Sequence, residues 1–236
     1  MKNKDSKLPL VSMIPNIVTL LGMIIGLTSI RYALDFKWEY AVGLIVISAF
    51  IDGLDGRIAR ALNASSKFGA ELDSLADFLN FGIAPAILLY LWSFTHIPFK
   101  GVGWSITILI IVCCAFRLAR FNCEESNDNI FKGISSPCGG GLLLVPIMLS
   151  FNDFNIHFAP LYVAIFSITI ALLMASNIAT ISVKKLQIPA KFYFPTLIAI
   201  TTFFVLLIIR PWICLPIMGL IYISTIPVTV FIYRKN

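Results

Sequence analysis

At 236 residues, with 58% hydrophobic and only 13% charged side chains, the chain has too little charge to cover a water-facing surface. A soluble domain of this size carries about a quarter charged residues, and a mean hydropathy of +0.91 points to lipid as the solvent instead. The net charge of +6 does not call for nucleic acid, because the basic residues are distributed as membrane orientation requires.

Lys2, Lys4 and Lys7 precede a first apolar run, Leu8 to Ile30, that is too long for a signal peptide and is followed by Arg31 rather than by a small-residue cleavage site. It is read as a retained span. Further apolar stretches near 20 residues recur along the chain. Helices are expected at 13–34, 39–62, 69–94, 102–122, 136–151, 158–181, 192–209 and 212–232, the architecture of an all-α integral membrane protein with about eight spans. The fifth is the shortest apolar run, Gly139 to Phe151. It contains Pro146 and is expected to extend back through the Ser135-Ser136-Pro137 turn. No repeat and no soluble domain interrupts the pattern, so residues 1–236 read as one membrane domain.

Eight spans place both termini on one side. With that side cytoplasmic, Lys2, Lys4, Lys7, Arg57, Arg60, Lys67, Arg117, Arg120, Lys132, Lys184, Lys185, Lys191, Arg234 and Lys235 lie inside. Arg31, Lys37, Lys100 and Arg210 lie outside. That bias is the one expected of a multi-pass protein of the cell (inner) membrane. The five cysteines show neither metal-ligand nor disulfide spacing, and His96 and His157 stand apart from any cluster.

Acidic residues are rare, twelve in all, yet Asp52, Asp55, Glu71, Asp73 and Asp77 fall within the second and third spans. An ionisable group there costs several kcal/mol unless paired or hydrated, so its default reading is functional. Asp52 and Asp55 are three residues apart and Asp73 and Asp77 four, so each pair projects from one helix face. The short Asn63–Phe68 linker makes the two helices antiparallel neighbours with both pairs at the cytoplasmic end. Four carboxylates in one pocket repel unless cations join them. Two divalent ions would balance their charge, and oxygen ligands suit Mg²⁺ or Mn²⁺ and a clamp for phosphoryl transfer. The small residues Gly53, Gly56, Ala59, Gly69 and Ala70 would let a ligand reach helix backbone, and Arg57 and Arg60 could meet a diphosphate. A polar interhelical seam neutralised by Arg57 or Arg60, or a cation-coupled transporter site, would use the same acids. Neither accounts for the glycine and arginine spacing.

That spacing carries a resemblance. Asp52-Gly-Leu-Asp55-Gly56-Arg-Ile-Ala59-Arg60, followed by Gly69-Ala-Glu-Leu-Asp73-Ser-Leu-Ala-Asp77, is similar to the signature D-x-x-D-G-x-x-A-R-x8-G-x3-D-x3-D of the CDP-alcohol phosphatidyltransferases at every fixed position. The resemblance implies a CDP-diacylglycerol donor, divalent metal at Asp52, Asp55, Asp73 and Asp77, and Asp77 as general base. It also implies a CDP-lipid site at Gly56, Ala59, Arg60 and Gly69. Asn16 and Thr19, in Pro15-Asn16-Ile-Val-Thr19, match a first-helix pattern near the nucleotide.

Within the family the context most resembles the bacterial integral-membrane serine-using branch. The stretches that carry this are Phe68 to Asp77, Asn80 to Pro85, Arg117-Leu-Ala-Arg120-Phe-Asn122 and Phe131 to Pro137. Ser74 and Phe78 stand where the glycerol-phosphate branch usually has Pro and Lys. The stretch Ser176-Asn-Ile-Ala-Thr-Ile-Ser-Val-Lys184 departs from the more regular ending of the serine branch. L-Serine is the acceptor so implied, with glycerol 3-phosphate the runner-up, and a homodimer is implied as well. Arg117 and Arg120, with Asn122 and Ser136 as polar neighbours, are the candidate acceptor residues, because serine brings a carboxylate that a fixed cation would hold.

Overall fold

A computed structural model describes residues 13–123, 131–151, 158–180 and 193–233. Of the residues counted in the charge bias, Lys2, Lys4, Lys7, Lys184, Lys185, Lys191, Arg234 and Lys235 lie outside that set, as does His157. The described chain is helical, apart from a two-residue antiparallel ladder that pairs β1 (Phe131–Lys132) with β2 (Ala179–Thr180).

Helix α1 (Ile14–Leu34) begins with Pro15 in its first turn, where a missing N–H costs nothing. Its buried stripe is Pro15, Thr19, Gly22, Gly26, Ser29 and Ala33, while Ile17, Leu21, Ile24 and Leu27 are exposed. This is soluble amphipathicity turned inside out. Lipid is as apolar as leucine, so helices gain by close approach over small residues rather than by burying large ones. Gly22 meets Ile51 of α2 (Trp38–Ala61), and α1 lies along α2. A Cβ on Gly26 would run into the side-chain amide of Asn80.

The third span is one continuous helical run in three registers. Helix α3 (Lys67–Asp77) is capped by Ser66, whose Oγ accepts from the Gly69 N–H at 3.0 Å. A π-helical segment, Phe78–Ile83, follows, and α4 (Ala84–Trp92) completes the run. Pro85 explains the change of register: it has no N–H to offer the Phe81 carbonyl, and the Ala84 N–H bonds instead to Leu79, five residues back. The segment buries Asn80, Phe81 and Gly82 and packs against α1, α2, α5 (Val102–Cys123) and α6 (Ser136–Leu143). It is the hub on which the helices meet.

The expected fifth span starts at Ser136 with Pro137 in its first turn, as its extension through the serine turn anticipated. It breaks at Leu144 into α6 and α7 (Val145–Ser150), because Pro146 removes the N–H that would bond to Leu142. Helices α8 (Pro160–Ala175), α9 (Tyr193–Ile209) and α10 (Pro211–Tyr233) follow. Among the described residues, three runs can cross a membrane by length and composition: Ile14–Leu34, Lys67–Trp92 and Val102–Cys123. Shorter apolar helices occupy Ser136–Ser150, Pro160–Ala175, Phe194–Ile209 and Pro211–Pro227. This is a multi-pass membrane protein. Helix α2 has the length, but its last turns carry the Asp52–Asp55 and Arg57–Arg60 pairs.

Candidate active site

A cleft of ≈ 200 Å³ opens where α1 begins, α2 ends and α3 begins. Pro15, Asn16 and Thr19 form one wall, Asp55, Gly56, Ala59 and Arg60 a second, and Gly69, Ala70 and Asp73 a third; the turn Ala64-Ser65-Ser66 closes the end. The start of α1 packs on both α2 and α3, and the two acidic helices line the same cleft, as their short linker led one to expect. All six residues expected at the CDP-lipid site, Asn16, Thr19, Gly56, Ala59, Arg60 and Gly69, line this cleft. The turn residues Ser65 and Ser66 went unremarked in the sequence as lining residues; the signal was a serine one position before the start of α3, where a helix cap sits.

Two glycines of the cleft are small for different reasons. A Cβ on Gly69 would lie 2.9 Å from the Asn16 Oδ1 and 3.2 Å from the Ser66 Oγ, so its smallness is demanded by packing between α1 and α3. A Cβ on Gly56 would meet nothing within 4 Å. No neighbour requires glycine there, but a ligand filling the cleft would. Gly56→Ala is therefore expected to keep the thermal stability of the parent while weakening CDP-lipid binding. Gly26→Ala, driven into Asn80, should lose about 1–3 kcal/mol of stability as an overpacked site. Thermal unfolding and CDP-lipid titration of the two variants check this; a large loss of stability in Gly56→Ala would mean that packing sets that position.

The carboxylates divide by depth. Asp55 is 4% exposed and its Oδ2 accepts a 2.6 Å hydrogen bond from the Thr19 hydroxyl, while Asp73 is exposed in the cleft. Asp52 and Asp77 do not line the cleft and lie within electrostatic reach of each other. One Asp77 oxygen, Oδ1, is buried with no hydrogen-bond partner. None of the four is paired with a described lysine or arginine in a salt bridge, so Arg57 and Arg60 do not neutralise them.

Arg117 of α5 is within electrostatic reach of Asp77 and donates a hydrogen bond to the Ser136 hydroxyl at the start of α6; its Nε is buried without a hydrogen-bond partner. The other two acceptor candidates point elsewhere. Asn122 donates its side-chain amide to the Ser74 Oγ at 3.0 Å, tying α5 to the turn between Asp73 and Asp77. Arg120 bonds to the Ala175 carbonyl at 3.0 Å, the Ser176 carbonyl at 2.8 Å and the Asn177 Oδ1, all at the end of α8. The four candidates thus make three separate contacts, and only Arg117 and Ser136 join each other beside Asp77.

Residues 12–182 match the family profile described as CDP-alcohol phosphatidyltransferase. The chain belongs to that family. As a CDP-alcohol phosphatidyltransferase it is similar to a protein of Mycobacterium leprae named CDP-diacylglycerol–serine O-phosphatidyltransferase. The two are 32% identical over 225 residues, 91% of this chain and 73% of the relative. Proteins of the same name from Helicobacter pylori and Bacillus subtilis are 35% and 37% identical. The first alignment covers 81% of each chain, the second 73% of this chain and 92% of the relative. Family membership implies a CDP-lipid donor, an alcohol acceptor and a membrane setting, and the family generally uses divalent metal ions.

The acidic end of the cleft suits such an ion in its chemistry. Among the described residues no three of these side chains close into a ready-made ligand shell, yet the donor set is carboxylate oxygen alone, as hard cations prefer. The unpartnered buried oxygen of Asp77 and the absence of a salt bridge to any of the four leave their charge to be balanced by a cation.

Proposed function

We propose that this CDP-alcohol phosphatidyltransferase moves the phosphatidyl group of CDP-diacylglycerol onto L-serine, giving phosphatidylserine and CMP. The observation that carries the acceptor is the likeness, over most of the chain, to relatives named for serine transfer. The geometry supports it: Asp77 is within electrostatic reach both of Asp73 in the cleft and of Arg117, which donates to Ser136.

The cytidine diphosphate occupies the cleft, with the cytidine against Gly56, Ala59 and Gly69, Asn16 and Thr19 on the facing wall, and Arg60 toward the phosphates. The acyl chains remain in the bilayer. Asp52, Asp55, Asp73 and Asp77 would hold Mg²⁺ or Mn²⁺, two ions balancing four carboxylates, and bound metal supplies charge stabilisation for the diphosphate and the departing CMP. Arg117, steadied by Ser136, receives the serine carboxylate and so aims the serine hydroxyl at Asp77. As that hydroxyl oxygen bonds to the lipid-side phosphorus, its proton passes to Asp77 and the bond to the CMP oxygen breaks. A carboxylate is a weak base for an alcohol, so transfer is concerted with attack and positioning supplies much of the acceleration. Asn122, held by Ser74, borders the acceptor side.

An acceptor panel of L-serine, glycerol 3-phosphate and inositol with purified protein and CDP-diacylglycerol tests the reading. CMP release with serine is expected. Phosphatidylglycerophosphate formation without phosphatidylserine would overturn the acceptor while leaving the family intact.

The reading also places the cleft on the cytoplasmic face of the cell (inner) membrane, with eight crossings, both termini cytoplasmic, one membrane domain over 1–236 and a homodimeric assembly. The charge bias supports the orientation. In a cysteine-free background, Ser66→Cys should resist an impermeant thiol reagent in intact cells and react after permeabilisation; labelling of intact cells would invert the topology.

A further inference from the structure

Arg117 and Arg120 leave α5 nearly one turn apart and are put to different uses. We propose that Arg120 is a positioning residue: it fastens the end of α8 to the segment 133–136, and through that segment holds Ser136 on Arg117. The proposal rests on the reading of Arg117 as the acceptor cation.

The carbonyls of Ala175 and Ser176 close α8 and have no following helical turn to satisfy them, which is where a cation is most favourable. The guanidinium of Arg120 reaches both, together with the side chain of Asn177. Its planar fork is already committed to three acceptors, a geometry that lysine cannot reproduce. Immediately beyond, the Gly133 N–H donates to the Ile178 carbonyl at 2.7 Å, continuing the β1–β2 ladder. Gly133 has φ +76°, and a Cβ there would sit 2.8 Å from the Ser176 carbonyl oxygen and 2.9 Å from that of Met174. Only glycine lets the segment lie this close to the end of α8. Ile134, the next residue, is fully buried, and Ser136, also fully buried, opens α6 and accepts from Arg117.

The contacts form a ring: Arg117 to Ser136, back along the chain to Gly133, across to Ile178 and Asn177, and through Arg120 to α5 again. Both ends of the ring are on α5. The position of Ser136, and with it the direction of the Arg117 guanidinium, depends on a clasp that never touches the acceptor. A substitution anywhere in the clasp should therefore act on serine binding, whether or not it removes a charge.

Full-length protein in detergent micelles, assayed for CMP release while L-serine and CDP-diacylglycerol are varied separately, tests this with Asn177→Ala, Arg120→Lys, Arg120→Gln and the double variant Asn177→Ala/Arg120→Gln. Asn177→Ala removes no charge and Arg120→Lys keeps one. Each is expected to raise the KM for L-serine about tenfold, the effect of one misplaced charge-assisted hydrogen bond. The KM for CDP-diacylglycerol should hold, and the double variant should be no worse than Arg120→Gln. Wild-type behaviour of both Asn177→Ala and Arg120→Lys, whether or not Arg120→Gln loses serine, would overturn the clasp. So would equal losses in both KM values together with a lower unfolding temperature, which marks a fold defect. If the parent enzyme makes no phosphatidylserine, the acceptor reading fails separately, and the same KM split is read with the acceptor that does release CMP.

Discussion

Asp77→Asn is expected to abolish turnover while leaving CDP-diacylglycerol binding largely intact. The two effects separate because of where Asp77 sits. Asp55 and Asp73 line the cleft and Asp77 does not; it has a buried, unpartnered oxygen, with Asp52 and Arg117 within electrostatic reach. An amide of the same shape keeps the packing but cannot take the proton of the attacking hydroxyl. Removing a general base costs about 10²–10⁴ in rate. The loss here should reach or exceed the upper end, because Asp77 also belongs to the proposed metal set. Single-turnover CMP release, paired with direct titration of CDP-diacylglycerol, measures both quantities. A near-normal kcat in the variant would show that another group receives the proton.

Stripping divalent metal should have an effect as large. Chelator-treated protein is expected to release no CMP until Mg²⁺ or Mn²⁺ is returned, and the returned ion should raise the unfolding temperature as any ligand specific to the native state does. The reason is electrostatic. Asp52, Asp55, Asp73 and Asp77 share one end of the bundle without a salt bridge to a described lysine or arginine. Among the described residues, the Thr19 hydroxyl on Asp55 and Arg117 within electrostatic reach of Asp77 soften their mutual repulsion. A diphosphate brought to that end would add further negative charge. Full turnover in excess chelator would remove metal from the mechanism and leave the arginines to answer the diphosphate alone.

The sequence by itself determined the solvent and the class of this protein, and singled out its candidate reacting end. Apolar runs near 20 residues can be stable only as helices in lipid, since every backbone hydrogen bond must then be made within the segment. Helices accordingly appear near the expected places, except that the fifth is broken in two at Leu144 and the sixth, expected over 158–181, ends at Ala175, its last expected residues Ala179–Thr180 pairing as a strand with Phe131–Lys132 instead. The acidic pairs were legible for the same reason: charge inside such helices is expensive, and intervals of three and four residues set each pair on one face. Local chemistry also anticipated the start of the fifth span at Ser136, since Pro137 suits a first turn.

Tertiary structure decided what depends on partners distant in the chain. Lipid-facing helices choose neighbours by close approach, which no periodicity records; so the start of α1 became a wall of the cleft, and the π-helical turn 78–83 the hub beneath it. Gly56 and Gly69 look alike in the signature, and only the fold shows that one faces open space and the other the Asn16 amide. Arg117 and Arg120 also look alike, three residues apart on one helix. The carbonyls that a guanidinium meets are set by packing, and the end of α8, more than fifty residues away in the chain, claims Arg120 while Arg117 is left beside Asp77.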